Sequence, residues 1–156
     1  MGVEIERKFL LSSDTWRAEA SSSVRIIQGY FEIAPGTPTV RVRIAGERAF
    51  LTIKGGVKNL SRSEFEYEIP VVDAEAMLRE FCGTRIVEKT RYLVPYAGEV
   101  WEVDEYWGNN GGLFTAELEL DNEQAEFAIP PWLGREVSDE RRYSNGALSR
   151  NPYQNW

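Results

Sequence analysis

Charged residues recur two apart inside segments that otherwise read as β-strands, and this spacing limits the fold more than any other feature. Glu4, Glu6 and Lys8 open the series. Arg41 and Arg43, then Arg62, Glu64 and Glu66, Lys89 and Arg91, Glu102 and Asp104, and Glu117 and Glu119 continue it. Side chains of a strand alternate between its two faces, so each set projects from one face. The opposite faces are apolar: Val40, Val42 and Ile44; Phe65, Tyr67 and Ile69; Phe114, Ala116, Leu118 and Leu120.

The breaks between these segments are short and turn-like: Ala34-Pro35-Gly36-Thr37-Pro38, Gly55-Gly56, Ala97-Gly98 and Gly108-Asn109-Asn110-Gly111-Gly112. They delimit eight expected strands, at 3–11, 24–33, 39–45, 48–54, 62–70, 85–95, 99–106 and 113–121. Short strands joined by tight turns predict an antiparallel meander or barrel. A helix is predicted over 74–82, with Asp73 as N-cap and Gly83 closing it. Its stripe of Ala74, Met77, Leu78 and Phe81 would pack on the sheet. Short helices are expected near 14–20 and 122–128. The tail, with Trp132, Val137, Tyr143 and Leu148, is expected to pack over an edge or opening.

Two architectures fit such faces. In a one-sided sheet the charges are solvated and the apolar face is core, the ordinary case. In a closed barrel the charges line a polar interior and the apolar face is covered from outside. Alternation alone favours the first. Two observations favour the second. The charges are concentrated in pairs and include Arg41, Arg43, Arg62 and Arg91, a side chain suited to bidentate phosphate contacts. Glu4 and Glu6 near one end of the chain also match Glu117 and Glu119 near the other, and barrel closure would join such distant strands.

Composition removes whole classes of chemistry. The chain has 156 residues, no histidine and one cysteine, Cys82. Ser–His and Cys–His nucleophiles are excluded, no internal disulfide can form, and a thiolate zinc site is not expected. Oxygen ligands favour hard cations such as Mg2+, Mn2+ or Ca2+. A net charge of −7 argues against a nucleic-acid partner. No apolar run approaches the roughly 20 residues of a membrane helix, and acidic Glu4 and Glu6 stand where a signal peptide would be basic. The expectation is one cytoplasmic domain over 1–156, monomeric or homodimeric, with no membrane partner. Inside a barrel, both signs of charge would need neutralising. A polyphosphate with divalent cations does this: phosphate oxygens meet Arg and Lys, and metal meets the carboxylates.

The ExExK opening at Glu4, Glu6 and Lys8 resembles the signature of the CYTH superfamily, the triphosphate tunnel metalloenzymes. The resemblance runs through Gln28-Gly29-Tyr30, Thr39-Val40-Arg41-Val42-Arg43, Leu51-Thr52-Ile53-Lys54 and Arg62-Ser63-Glu64-Phe65-Glu66. It continues through Glu88-Lys89-Thr90-Arg91-Tyr92, Val103-Asp104, Gly112-Leu113 and Ala116-Glu117-Leu118-Glu119. It ends at Trp132-Leu133-Gly134-Arg135-Glu136-Val137 and Arg142-Tyr143-Ser144-Asn145. ExExK alone is weak; the ordered set is specific. The chain departs from longer fused members in carrying no appended helical domain.

The resemblance implies a mainly β fold with a few helices outside an eight-stranded antiparallel closed barrel. It implies Mg2+- or Mn2+-dependent hydrolysis of a triphosphate, with inorganic triphosphate the leading substrate. Glu4, Glu6, Glu117 and Glu119 match metal ligands, and Asp104 joins that set. Lys8, Arg41, Arg43, Lys54, Arg62, Lys89 and Arg91 match phosphate-binding positions. Lys8, Lys54, Glu64 and Glu66 are the candidate catalytic groups. Glu102 stays outside the set, because it could serve as a structural ion pair. Adenylate cyclase and thiamine or nucleoside triphosphatase activities share the fold and are the alternatives. A polyphosphate- or nucleotide-binding protein without turnover is the non-enzymatic one, although pure anion binding gains nothing from so many carboxylates. Trp101, Trp107 and Trp132 read as packing residues, Cys82 as a small buried one, and Tyr30 and Tyr143 as packing or supporting groups.

Overall fold

The structure, a computed structural model, describes residues 2–32, 34–55 and 61–156. Eight antiparallel strands follow the eight expected segments: β1 (Gly2–Leu11), β2 (Ser22–Tyr30), β3 (Thr39–Ala45), β4 (Arg48–Lys54), β5 (Ser61–Ile69), β6 (Ile86–Tyr96), β7 (Glu99–Tyr106) and β8 (Phe114–Glu119). Ile33, the expected end of the second strand, and Gly56, in an expected turn, lie outside the described residues. The neighbour order is β5-β4-β3-β2-β6-β7-β8-β1, and β1 also pairs with β5, which closes the barrel. One edge of β1 meets β8, with Glu6 opposite Glu119 and Lys8 opposite Glu117. The other edge meets β5 at Glu4 and Arg62, and then β9 (Leu133–Glu136). That short ninth strand takes over where β5 leaves.

The apolar core lies mainly outside the barrel. Phe9, Trp101, Val103, Ala116 and Leu118, on the strand faces opposite the charges, pack with Trp16 and Trp132. Trp101 meets Phe9, Phe127 and Trp132 edge to face, a geometry that adds about 0.5–1.5 kcal/mol per pair to the burial term. On the far wall α1 (Val71–Met77) covers Val42 and Ala49. A third cluster of Tyr30, Val87, Tyr106, Leu113, Val137, Tyr143 and Leu148 fills one end of the barrel. Its last members come from the tail and from α2 (Asn145–Arg150), so the tail closes an opening, as expected.

The helices differ in detail from the sequence expectation. α1 starts at Val71, because Pro70 fixes an extended entry; Asp73 sits in the first turn and is not the cap. The segment continues through one π turn, Leu78–Cys82, and stops at Gly83, whose φ of 57° suits glycine. Phe81 is exposed and leaves the expected stripe, although its ring still meets Phe31 at 5.4 Å. Residues 15–19 form a short 3-10 turn. No helix forms over 122–128: Asn122 accepts from the Gln124 amide and ties the chain into a turn. Among the described residues, no helix is long and apolar enough to cross a membrane.

Candidate active site

The charged faces point into the barrel. Two strands facing each other across the β6–β7 register supply the tightest group. Asp104, fully buried, accepts from Lys89 Nζ at 2.8 Å and from Arg91 Nε and Nη2 at 2.8 and 2.9 Å. Arg91 also donates to Glu102 at 3.2 Å and lies 3.6 Å from Glu117 Oε1. Lys8 lies 3.9 Å from the same Glu117 oxygen and donates to the Tyr143 carbonyl at 3.0 Å. On the opposite wall Arg43 donates to Glu66 at 3.2 Å, Thr52 donates to the same oxygen at 2.8 Å, and Arg41 donates to Thr52 at 3.2 Å. Arg62 donates to the Gly55 carbonyl at 3.0 Å. Lys54 stands opposite Glu64 in the β4–β5 register.

Burial and pairing shift these groups in different directions. Burial pushes the Glu117 carboxyl upward, but Lys8, Arg91 and Lys89 overcome it and hold Glu117 far below the usual range. Burial works against charge on Lys8 too, yet Glu117, Glu6 and Asp104 leave its pKa raised. For Lys89 burial wins: with Asp104 opposing and Arg91 reinforcing, its pKa falls to about 7. Burial also raises Glu102, against the pull of Arg91. Glu66, less buried, is lowered because Thr52, Arg43 and Arg41 outweigh its desolvation.

Four buried polar atoms inside the barrel have no hydrogen-bond partner among the described residues: Arg41 Nε, Glu117 Oε1, Gln28 Oε1 and Thr115 Oγ1. A buried donor or acceptor left unmade costs about 1–3 kcal/mol, more for a charged group, so such atoms mark where a ligand belongs. Arg41 Nε calls for an anion. Glu117 Oε1 calls for a cation or donor. It belongs to a carboxylate that hydrogen-bonds Glu6, and Glu6 faces Glu119 across the register. Among the described residues no three His, Cys, Asp or Glu side chains converge as a ready-made cation cage. The set therefore fits an ion that takes one or two carboxylates and completes its shell with water and phosphate oxygens, the habit of Mg2+.

The expected residues are placed unequally. Lys8, Lys89, Arg91, Asp104 and Glu117 form one network, and Arg41, Arg43 and Glu66 another. Glu119 is exposed at the barrel end, and the side chain of Glu4 lies outside the described residues. Asp104, expected to join the metal set, accepts at both oxygens from Lys89 and Arg91, which makes it the anchor of those two side chains. Four polar residues were not assigned a role from sequence. Gln28, Thr52 and Tyr106 share the inward parity of their strands, a signal that could have found them. Asn145 reaches Lys89 and Tyr106 from the tail, where no periodicity points to it.

The comparisons agree with this geometry. The chain is 44% identical over 156 residues to an inorganic triphosphatase of Acetivibrio thermocellus, covering 100% of this chain and 99% of that protein. It is 38% identical over 152 residues to an inorganic triphosphatase of Nitrosomonas europaea, covering 94% and 97%. The crystal structure of the inorganic triphosphatase NE1496 superposes with a TM-score of 0.69 at 35% identity, covering 96% of this chain and 95% of that one. The CYTH domain model matches residues 2–149, and the chain belongs to the CYTH domain family.

Proposed function

We propose that the protein hydrolyses inorganic triphosphate to pyrophosphate and phosphate inside the barrel, with a divalent cation, Mg2+ or Mn2+, as cofactor. The observation that carries this reading is a pair of buried atoms in one lumen, Arg41 Nε and Glu117 Oε1, that lack a hydrogen bond among the described residues although Lys8 and Arg91 lie in ion-pair range of the latter; a metal–phosphate ligand would satisfy donor and acceptor together. The two curated relatives, both inorganic triphosphatases, support it. Glu4, Glu6, Glu117 and Glu119 are the residues that would hold the cation. Bound there, it would neutralise phosphate oxygens and polarise the phosphoryl group. Arg41, Arg43, Lys54 and Arg62 grip the phosphate chain, and Lys8 and Arg91 stabilise charge as the bond breaks. Glu64 and Glu66 hold the cations of that wall. Lys89, with its pKa near 7, can take the proton from the attacking water, a task no histidine is present to perform.

A second reading has one observation in its favour. The open end of the lumen is a cavity of about 390 Å3 that sets Val24, Ile26, Phe50 and Leu93 beside Arg43 and Arg91. An apolar group joined to a triphosphate would find contact there. One assay separates the readings. Purified protein is given triphosphate, ATP and thiamine triphosphate, each with Mg2+, Mn2+ or chelator, and phosphate, pyrophosphate and cyclic AMP are measured. Fastest release from triphosphate, lost with chelator, is expected. Metal-independent release, or none, would end the enzymatic reading. Glu6→Gln should lower turnover by roughly 10^3-fold while the fold persists, since metal stabilisation of the transition state is worth several kcal/mol.

A further inference from the structure

Lys89 is held by two acceptors, and only one of them lies on the barrel wall. Its Nζ donates to Asp104 Oδ2 at 2.8 Å and to Asn145 Oδ1 at 3.4 Å. The Asn145 oxygen is itself fixed, because the Tyr106 hydroxyl donates to it at 2.8 Å. Tyr106 stands directly opposite Lys89 in the β6–β7 register, so its ring has little freedom to leave. Asn145 opens α2, where Ser144 accepts from the Ala147 amide at 3.1 Å and caps the turn. The segment before it is pinned by the Tyr143 carbonyl on Lys8 and by the edge-to-face contact of Tyr143 with Trp156.

A primary amino group has three positions besides its carbon. Two fixed acceptors settle two of them, and the rotation about the last carbon–nitrogen bond is then no longer free. The third position is a lone pair on the amine and an N–H on the ammonium ion. We propose that Asn145 is a positioning residue: by fixing the rotation of the Lys89 amino group, it aims that third position at the reacting phosphate and water. This rests on the proposed triphosphate cleavage. A residue that only plugs the barrel end would need shape and no acceptor oxygen, so the two roles separate by substitution. Misaiming a reacting group by about 1 Å can cost roughly 100-fold in rate with little effect on binding.

The test compares Asn145→Leu, similar in size but without the acceptor, with Asn145→Asp, which keeps an oxygen there. Steady-state hydrolysis of triphosphate with Mg2+ should show kcat lowered about 10–100-fold in the leucine variant with KM within about threefold. The aspartate variant should recover most of that loss with its pH–rate profile moved to higher pH, because the added carboxylate holds the proton on Lys89. A leucine variant within twofold of wild-type kcat, a loss carried by KM, or an aspartate variant as poor as leucine at every pH would overturn the proposal. If the leucine variant does not fold, Tyr106→Phe removes only the hydroxyl that fixes Asn145. It should lower kcat with KM unchanged, and an unchanged kcat overturns the proposal. A second readout does not need turnover. In protein labelled with 15N-lysine, the Lys89 amino signal should be sharp in wild type and broadened by exchange in the leucine variant; identical signals overturn the proposal. Wild-type protein without triphosphatase activity would instead sink the functional reading, leaving the resonance comparison to judge Asn145.

Discussion

The two walls of the lumen are built to different standards. On the wall of β6, β7, β8 and β1, Asp104 is paired at both oxygens and fully buried, Glu117 Oε1 lacks a hydrogen bond among the described residues but sits in ion-pair range of both Lys8 and Arg91, and the outer face is sealed by Trp101, Trp132 and Phe9. On the wall of β3, β4 and β5, Arg41 and Arg43 share one Glu66 oxygen, Arg41 Nε has no partner among the described residues, and Tyr67 on the outside is 59% exposed. The first wall fixes charges in place before any ligand arrives, which is what preorganised stabilisation of a transition state requires. The second keeps donors in reserve, which is what gripping a flexible anion requires. The difference teaches that one barrel can separate orientation from capture by how completely each wall is paired.

The sharpest way to break this comparison is Asp104→Asn. Removing one partner of a buried ionic group costs about 3–5 kcal/mol, and at about 2–4 °C per kcal/mol for a chain of this size the melting temperature should fall by about 6–20 °C. A small shift would mean the first wall is no firmer than the second. Arg41→Met tests the other side. Charge-assisted hydrogen bonds are worth about 1.5–3 kcal/mol, so KM for triphosphate should rise roughly 10-fold or more, with little loss of melting temperature. A large loss of stability with KM unchanged would make Arg41 a structural residue.

A smaller effect follows from Lys89. Its folded pKa is depressed to about 7, against ~10.4 for an unfolded lysine. Between those values the unfolded chain holds a proton that the folded chain lacks, so this group's contribution to stability rises with pH across the window and is least favourable below it. Chemical denaturation at pH 7 and pH 9.5 should show wild type gaining on Lys89→Met as pH rises; parallel values would place Lys89 outside the desolvated wall. The smallest effect should come from Tyr67→Ser, within about 0.5 kcal/mol as for other exposed positions. A larger loss would show that the outer face of β5 is covered in solution.

The period-two pattern made the strands and their inward residues legible, because a strand tells its faces apart by parity alone. It could not say that the charged face turned inward. That depended on β1 meeting both β5 and β8, pairings of residues 58 apart at Glu4 and Arg62 and 109 apart at Lys8 and Glu117, which no local pattern encodes. β9 was missed because four residues are too few for alternation to register. Its Gly134 nonetheless marks a close approach: an added Cβ would lie 2.9 Å from the Leu10 carbonyl oxygen. The helix expected over 122–128 failed for a local reason, the Asn122 turn, and Asn145 for a tertiary one, since its partners lie on distant strands. Asp104 was legible as an interior charge, but not that Lys89 and Arg91 would occupy both its oxygens. Parity fixes the face, but only neighbouring donors decide what a carboxylate binds.

The double-edged pairing of β1 also bears on how the chain is made. Residues 2–11 are synthesised before every one of their partners, at 61–64, 116–119 and 133–136. The barrel cannot close until nearly the whole chain is available, and folds ruled by such distant contacts form slowly, in milliseconds to seconds. Through that interval the first strand waits with both edges bare. Its Glu4, Glu6, Arg7 and Lys8 are then solvated charges on an unpaired strand, the device by which natural sheets discourage pairing with the wrong chain. The residues proposed to receive metal and phosphate in the finished barrel would already have served, earlier in the life of the molecule, as guards against aggregation.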